Sequence, residues 1–352
     1  MQQSTVPRCA ILSVGSTGGT AVKRRQFITL LGGAATWPLA ARAQQGERMR
    51  RIGVLMNGTA TETVPQSYVA AFVRELSQLG WSEGRNLRID VRWNAGDAAL
   101  ARIYAAQLIG LTPDVILTAS TTNLTVVQQA TSTIPVVFVQ VSDPVEQGFV
   151  ASLTKPGGNL TGFSQFEFSV GGKWLDLLKE ITPGLARVAV MFNPDTSPQS
   201  KFFMRSIEAA APSLGVQAIA VPVRATADIE PAIEGFARTP NGGLILTSDT
   251  FTRLRYKLIA DLAAYHRLPS IGAEEPFVRD GGLMYYGANV NVLEQMPQAA
   301  SYVDRILKGT KPGDLPIQRA DKYTLIINLK TAKALGLTVP LPLSGLADEV
   351  IE

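Results

Sequence analysis

Short apolar runs and helical segments alternate along the chain from Arg51 onward, and few folds accept that order. Ile52-Gly53-Val54-Leu55-Met56 is the first run, of the kind carried by a strand buried on both faces. Tyr68, Phe72, Leu76 and Leu79 then repeat at helical spacing, and Gly80 ends that helix. Leu87, Ile89, Val91 and Trp93 alternate with polar residues, which predicts a second strand near a sheet edge. A helix over 100–109, a strand at 115–117, a helix over 124–131 and a strand at 136–139 continue the series. Strands separated by helices are too far apart in sequence for hairpins. They pair in parallel, with the helices covering both faces of the sheet.

Pro156-Gly157-Gly158-Asn159 breaks the rhythm and a second series begins. Its strands are expected at 188–192, 216–221 and 244–246, its helices near 202–211, 229–237 and 256–265. A strand at 283–287, a long helix over 292–307, a stiff linker at Lys311-Pro312-Gly313-Asp314-Leu315-Pro316 and a strand at 323–328 follow. The fold class is therefore α/β, with two doubly wound parallel-sheet lobes.

The net charge of +4 invites a nucleic-acid reading, which its distribution removes. Five of the 33 basic residues and none of the 29 acidic ones lie in residues 1–43, leaving 28 against 29 in the body. No basic run remains to track a phosphate backbone. The first 43 residues read as an export leader. Lys23-Arg24-Arg25-Gln26-Phe27-Ile28 precedes a weakly apolar run, and Ala41-Arg42-Ala43 is a cleavage site of the A-x-A type. The arginine pair marks a twin-arginine signal peptide and hence a periplasmic protein. The apolar run is short, rich in Gly and Ala and interrupted by Pro38, which argues against a membrane anchor. Val22 stands where such leaders begin, so residues 1–21 read as an extension upstream of the true start. Cys9 is the one cysteine and falls within this region, so the body has no thiol or disulfide. With His266 as the one histidine, the usual zinc sites are excluded. No cofactor is expected.

Several segments resemble a family of bacterial ABC-transporter substrate-binding proteins whose best-known members bind aromatic amino acids such as tryptophan. They include Asp143-Pro144-Val145 with Gly148, Pro156 to Gly162, Arg187 to Val190 with Asn193-Pro194, and Gly281-Gly282-Leu283-Met284. Tyr302 to Gly309 and Asn328 to Leu337 extend the likeness over the whole mature chain. The resemblance implies a type I periplasmic binding fold with three crossovers, near Thr161-Gly162, near Gly281 to Gly287 and near Ala320. Lobe I would hold residues 44–162 and 284–319, and lobe II residues 163–283 and 320–352, with strand 283–287 and helix 292–307 returning to lobe I. It also implies a monomer that captures a small solute, an amino acid or related carboxylate, and delivers it to the membrane permease of an ABC importer. A periplasmic sensor presenting its closed form to a signalling receptor is the alternative, and genomic neighbours separate the two.

Ligands of parallel sheets bind at the carboxyl ends of strands, and candidate polar residues gather there. Ala119-Ser120-Thr121-Thr122 opens a helix, where hydroxyls and free N–H groups suit a carboxylate or simply cap the helix. Asn57 holds the same place after the first strand. Asp143, before Pro144, either caps a turn or meets the ligand. In the second lobe Asn193, Ser248 and Asp249 follow strands; Asp249 either pairs with a ligand ammonium or caps the next helix. Glu274 and Glu275 are further carboxylates that a solvated helix start would equally explain. Phe163, Ser164 and Tyr286 fall near the expected crossovers, where aromatic rings stack on a ligand or fill the core. Enzymatic readings lack support: Gly172-Lys173 is followed by Trp174 rather than Ser or Thr, and neither G-x-S-x-G nor H-E-x-x-H occurs.

Overall fold

The computed structural model describes residues 48–288, 292–320 and 322–352, and the leader expected over residues 1–43 lies outside them. The first series forms β1 (Arg50–Met56), α1 (Thr63–Gln78), β2 (Leu87–Trp93), α2 (Ala98–Gly110), β3 (Val115–Ala119), α3 (Thr121–Ala130), β4 (Val136–Val141) and β5 (Leu160–Ser164). With β11 (Gln318–Arg319) these strands make a six-stranded sheet in the order β11-β5-β4-β3-β1-β2, all pairs parallel. The alternating strand β2 is its edge, where one face of the strand is less fully covered.

The second series runs α4 (Val170–Ile181), β6 (Arg187–Phe192), α5 (Ser200–Leu214), β7 (Gln217–Pro222), α6 (Thr226–Ala237), β8 (Gly242–Leu246), α7 (Thr250–Arg253), α8 (Tyr256–Tyr265), β9 (Ser270–Gly272), α9 (Glu275–Arg279) and β10 (Met284–Ala288). Then come α10 (Val292–Leu307), β11, β12 (Tyr323–Asn328), α11 (Leu329–Ala334), α12 (Leu341–Leu346) and β13 (Glu349–Ile351). The second sheet has the order β13-β12-β10-β9-β8-β6-β7, and β10 against β12 is its antiparallel pair.

Each sheet buries apolar side chains on both faces. In the first, Phe72, Leu76, Met296 and Val303 cover one side and Leu108, Leu124 and Phe138 the other. In the second, Trp174, Leu178 and Phe203 oppose Ile229, Ile259 and Phe277. Each such side chain withdrawn from water contributes about 1.5–3 kcal/mol.

The chain passes between the sheets after β5, after β10 and between β11 and β12. The expectation that strand 283–287 returns to the first lobe is corrected. β10 pairs in parallel with Ile271-Gly272 and antiparallel with Tyr323 to Ile327, and the buried Leu283 and Met284 belong to the second core. The helix that follows, α10, does pack on the first sheet. The close approach of β4 and β5 depends on Gly162, at φ +152°, where a Cβ would lie 2.0 Å from the Phe138 carbonyl oxygen. Among the described residues no helix is long and apolar enough to cross a membrane.

Candidate functional site

The carboxyl ends of β1, β3 and β4 face those of β6, β8 and β9 across a cleft between the lobes. Two connected chambers occupy it. The inner one, about 50 Å³, is walled by polar side chains, with Asn57, Ser120, Thr121 and Thr122 on one side and Ser248, Asp249 and Glu274 on the other. The outer one, about 590 Å³, is lined by Val64, Tyr68, Phe166, Tyr285, Ala288 and Ile326 and by several charged groups. Asn57, Gln140, Gln165, Arg253 and Glu274 border both.

Local folding rules explain the inner wall. Ser120 takes φ +82°, turns the chain from β3 into α3, and its Oγ accepts from the Asn123 N–H at 3.3 Å. Thr121 Oγ accepts from the Ser142 N–H at 3.3 Å and so ties the ends of β3 and β4 together. Thr122 Oγ donates across the cleft to the Thr196 carbonyl at 2.8 Å. Asn57 Nδ2 likewise reaches Thr250 Oγ at 3.4 Å, and Gly96 lies so near that a Cβ on it would stand 2.8 Å from Thr250 Cγ2. These contacts define a closed cleft.

Asp249 is 2 % exposed and its carboxylate is heavily used. Oδ1 accepts from Thr196 Oγ and from the Phe251 N–H at 3.0 Å; Oδ2 accepts from the Asn193 N–H at 2.9 Å and the Thr252 N–H at 3.4 Å. It caps α7 and pins the loop after β6. Burial nevertheless raises its pKa, the hydrogen bonds from Thr196, Asn193, Phe251 and Thr252 opposing. Glu274 is less committed. Oε1 accepts from Ser248 Oγ at 2.9 Å, and Oε2 lies 3.9 Å from Arg253 Nε. Its pKa is also raised, chiefly by burial, with Arg253 and Ser248 pulling it down and Asp249 adding repulsion.

The remaining sequence candidates lie elsewhere. Ala119 and Phe163 are buried in the first core, Phe163 against Tyr302 with centroids 5.2 Å apart. Asp143 and Ser164 border a separate 270 Å³ cavity beside Glu167 and Arg319 at the crossovers, and Asp143 Oδ1 accepts from the Glu146 N–H at 3.0 Å. Asn193 turns its amide inward: Oδ1 accepts from the Asp195 N–H at 2.8 Å and Nδ2 donates to the Arg224 carbonyl at 3.3 Å. Tyr286 stacks on Tyr323, with centroids 5.5 Å apart, whereas its neighbour Tyr285 lines the outer chamber. Strand alternation puts only one of the two adjacent tyrosines toward the cleft.

Sequence reasoning missed Gln140, Gln165, Tyr68 and Arg253. Gln140 left a trace, being the polar interruption of Val136-Val137-Phe138-Val139-Gln140-Val141 and a non-glycine at φ +56°. Arg253 ends the helical turn that Asp249 caps, a position the sequence marks only once that cap is recognised.

Residues 65–351 match the model of the ABC transporter substrate binding protein family. The chain belongs to that family. A tyrosine-binding protein of Clostridioides difficile is 28% identical over 272 residues, covering 76% of this chain and 75% of its relative. Among solved structures, a Streptococcus pneumonia domain in complex with L-Trp matches with TM-score 0.72 at 22% identity, over 86% of this chain and 100% of the other. A ligand-free, open substrate-binding protein from Clostridium difficile matches with TM-score 0.59 at 25% identity, over 86% and 99%. The open protein is the nearer of these two in sequence and has the lower TM-score. More distant periplasmic binding proteins share the type I fold.

Proposed function

We propose that this family member is the periplasmic binding component of an ABC importer, exported by its twin-arginine leader, and that it captures an amino acid between its lobes for delivery to a permease. The polarity of the inner chamber carries this reading. The first-lobe wall offers the hydroxyls and N-terminus of α3, a favourable place for a carboxylate. The second-lobe wall offers Glu274, whose Oε2 is held only by a long contact with Arg253, to an ammonium. Ser120, Thr121, Thr122, Asn57 and Ser248 complete the head-group site, and Asp249 acts as the post that holds the wall in place.

The lining of the outer chamber is mixed, and Tyr68, Tyr285, Val64 and Ile326 within it suit a side chain of the aromatic class that the relatives' names record. Since a zwitterion touches both walls, it stabilises the closed state differentially, which is what drives hinge closure.

Titration calorimetry with L-tyrosine and L-tryptophan, against analogues lacking the amino or the carboxyl group, tests the proposal. Each truncated analogue is expected to bind at least tenfold more weakly, about 1.4 kcal/mol. An analogue with a single charged group that binds as tightly as the amino acid would refute the head-group assignment.

A further inference from the structure

Gln199 lines the inner chamber and is 5 % exposed. It stands at the N-terminal boundary of α5, but its side chain makes no capping bond there. Nε2 instead donates to the Ser248 carbonyl at 2.9 Å. A carbonyl only accepts, so this bond settles which end of the amide faces it and turns Oε1 elsewhere. Oε1 has no hydrogen-bond partner among the described residues. The other buried side-chain atoms in that condition, such as Asn123 Oδ1 and Tyr256 Oη, belong to residues that line neither chamber. The hydroxyls beside Gln199 are already engaged. Ser197 Oγ bonds Ser200 Oγ at 2.6 Å and the Ser248 carbonyl at 3.0 Å, and Ser200 Oγ meets Thr247 Oγ at 3.0 Å. A buried acceptor without a donor costs free energy that a ligand's donor recovers.

Ser248 ties this oxygen to the head-group site. Its carbonyl holds Gln199, and its Oγ donates to Glu274 Oε1 at 2.9 Å. Each partner keeps one oxygen uncommitted: Gln199 Oε1 has no bond, and Glu274 Oε2 has the 3.9 Å contact with Arg253 Nε. A primary ammonium carries three N–H donors and no acceptor, so it can serve both oxygens at once. We infer that Gln199 is a ligand-binding residue whose Oε1 accepts a hydrogen bond from the solute's amino group, beside Glu274. This rests on the amino-acid reading above and deepens it: the two acceptors select a nitrogen that offers at least two N–H groups.

Calorimetry on protein produced from residue 44, unaltered and as Gln199→Met, tests the inference. Methionine matches glutamine in length, removes the unpartnered oxygen, and leaves the Ser248 carbonyl its bond from Ser197. The ligand-free Tm should therefore change little. Affinity for L-tryptophan or L-tyrosine, whichever binds tighter, should drop about tenfold or more, and affinity for 3-indolepropionate, which has no amino group, by less than about twofold. An equal loss for 3-indolepropionate, or no loss for the amino acid, overturns the inference and leaves the amino-acid reading standing. If the variant does not fold, methylation of the amino acid's nitrogen decides on the unaltered protein. The monomethyl form keeps two N–H groups for the two acceptors and the dimethyl form one, so the second methyl should cost more affinity than the first; a second methyl that costs no more overturns the inference. Tryptamine binding where both amino acids fail, and weakening in Gln199→Met, upholds the Gln199 contact and overturns the amino-acid reading. Failure of both amino acids and of tryptamine overturns both.

Discussion

Replacing Asp249 with Asn separates a scaffold role from a ligand role. In the closed structure each carboxylate oxygen accepts two hydrogen bonds, from Thr196 and Phe251 on one side and Asn193 and Thr252 on the other. An amide keeps one acceptor oxygen and turns an NH₂ toward two donors, so two bonds are lost whichever way it lies. Hydrogen bonds to a charged acceptor contribute about 1.5–3 kcal/mol each, and the 3.4 Å contact from Thr252 falls at the low end. Relief from burying a charge, the cause of the raised pKa, offsets part of the loss. The net destabilisation is roughly 2–4 kcal/mol, and at about 2 °C per kcal/mol for a chain of this size the ligand-free Tm falls by roughly 4–8 °C. Differential scanning calorimetry of the ligand-free protein is the assay. An unchanged Tm together with lost ligand affinity would refute the scaffold role and make Asp249 a ligand contact.

The other substitutions probe different parts of the same account. Glu274→Gln keeps the bond from Ser248, so ligand-free stability is not lowered, while affinity for an amino acid falls by about 1.5–3 kcal/mol; an unchanged affinity removes Glu274 from the site. Its folded pKa is raised above the unfolded value, so below about pH 4.5 both states are protonated and Glu274 has no effect. As pH rises through the raised value, its ionisation costs stability, and the Tm of Glu274→Gln relative to wild type should climb over that window; a flat difference contradicts the burial argument. Thr122→Val removes the bond to Thr196 across the cleft and should weaken affinity by about 0.5–1.5 kcal/mol without lowering the ligand-free Tm, read by parallel calorimetry. Gly162→Ala drives a Cβ into the backbone of Phe138 and should lower stability in urea by about 3 kcal/mol or more.

Elements that carry a periodicity were legible in the sequence. The apolar runs at β1, β3, β4, β6 and β8 and the helical spacing of α1 and α10 follow from burial alone, and β2 shows its edge position by alternating. The inner chamber was partly legible because Ser120 to Thr122 must follow a strand and open a helix. What escaped needed tertiary information. Asn193 and Thr196 reach Asp249 from 56 and 53 residues away, so the sequence left its cap and ligand roles equally open. Tyr285 and Tyr286 are chemically identical neighbours, and only the register of β10 against β9 and β12 selects which faces the cleft. The same pairing places β10 in the second sheet, a choice that its apolar composition alone could not make.

The central claim is that the solute enters between the lobes and is held by their closure. Cys9 is the one cysteine and precedes residue 44, so a thiol pair can be introduced cleanly into the rest of the chain. Asn57→Cys combined with Thr250→Cys, in protein produced from residue 44, places thiols where Asn57 Nδ2 and Thr250 Oγ meet at 3.4 Å across the closed cleft. Bridged before ligand is added, by oxidation or a short cleavable cross-linker, the protein should take up no amino acid, and cleaving the bridge should restore binding. A bridged protein that binds with unchanged affinity and rate would show that the solute does not enter through this cleft.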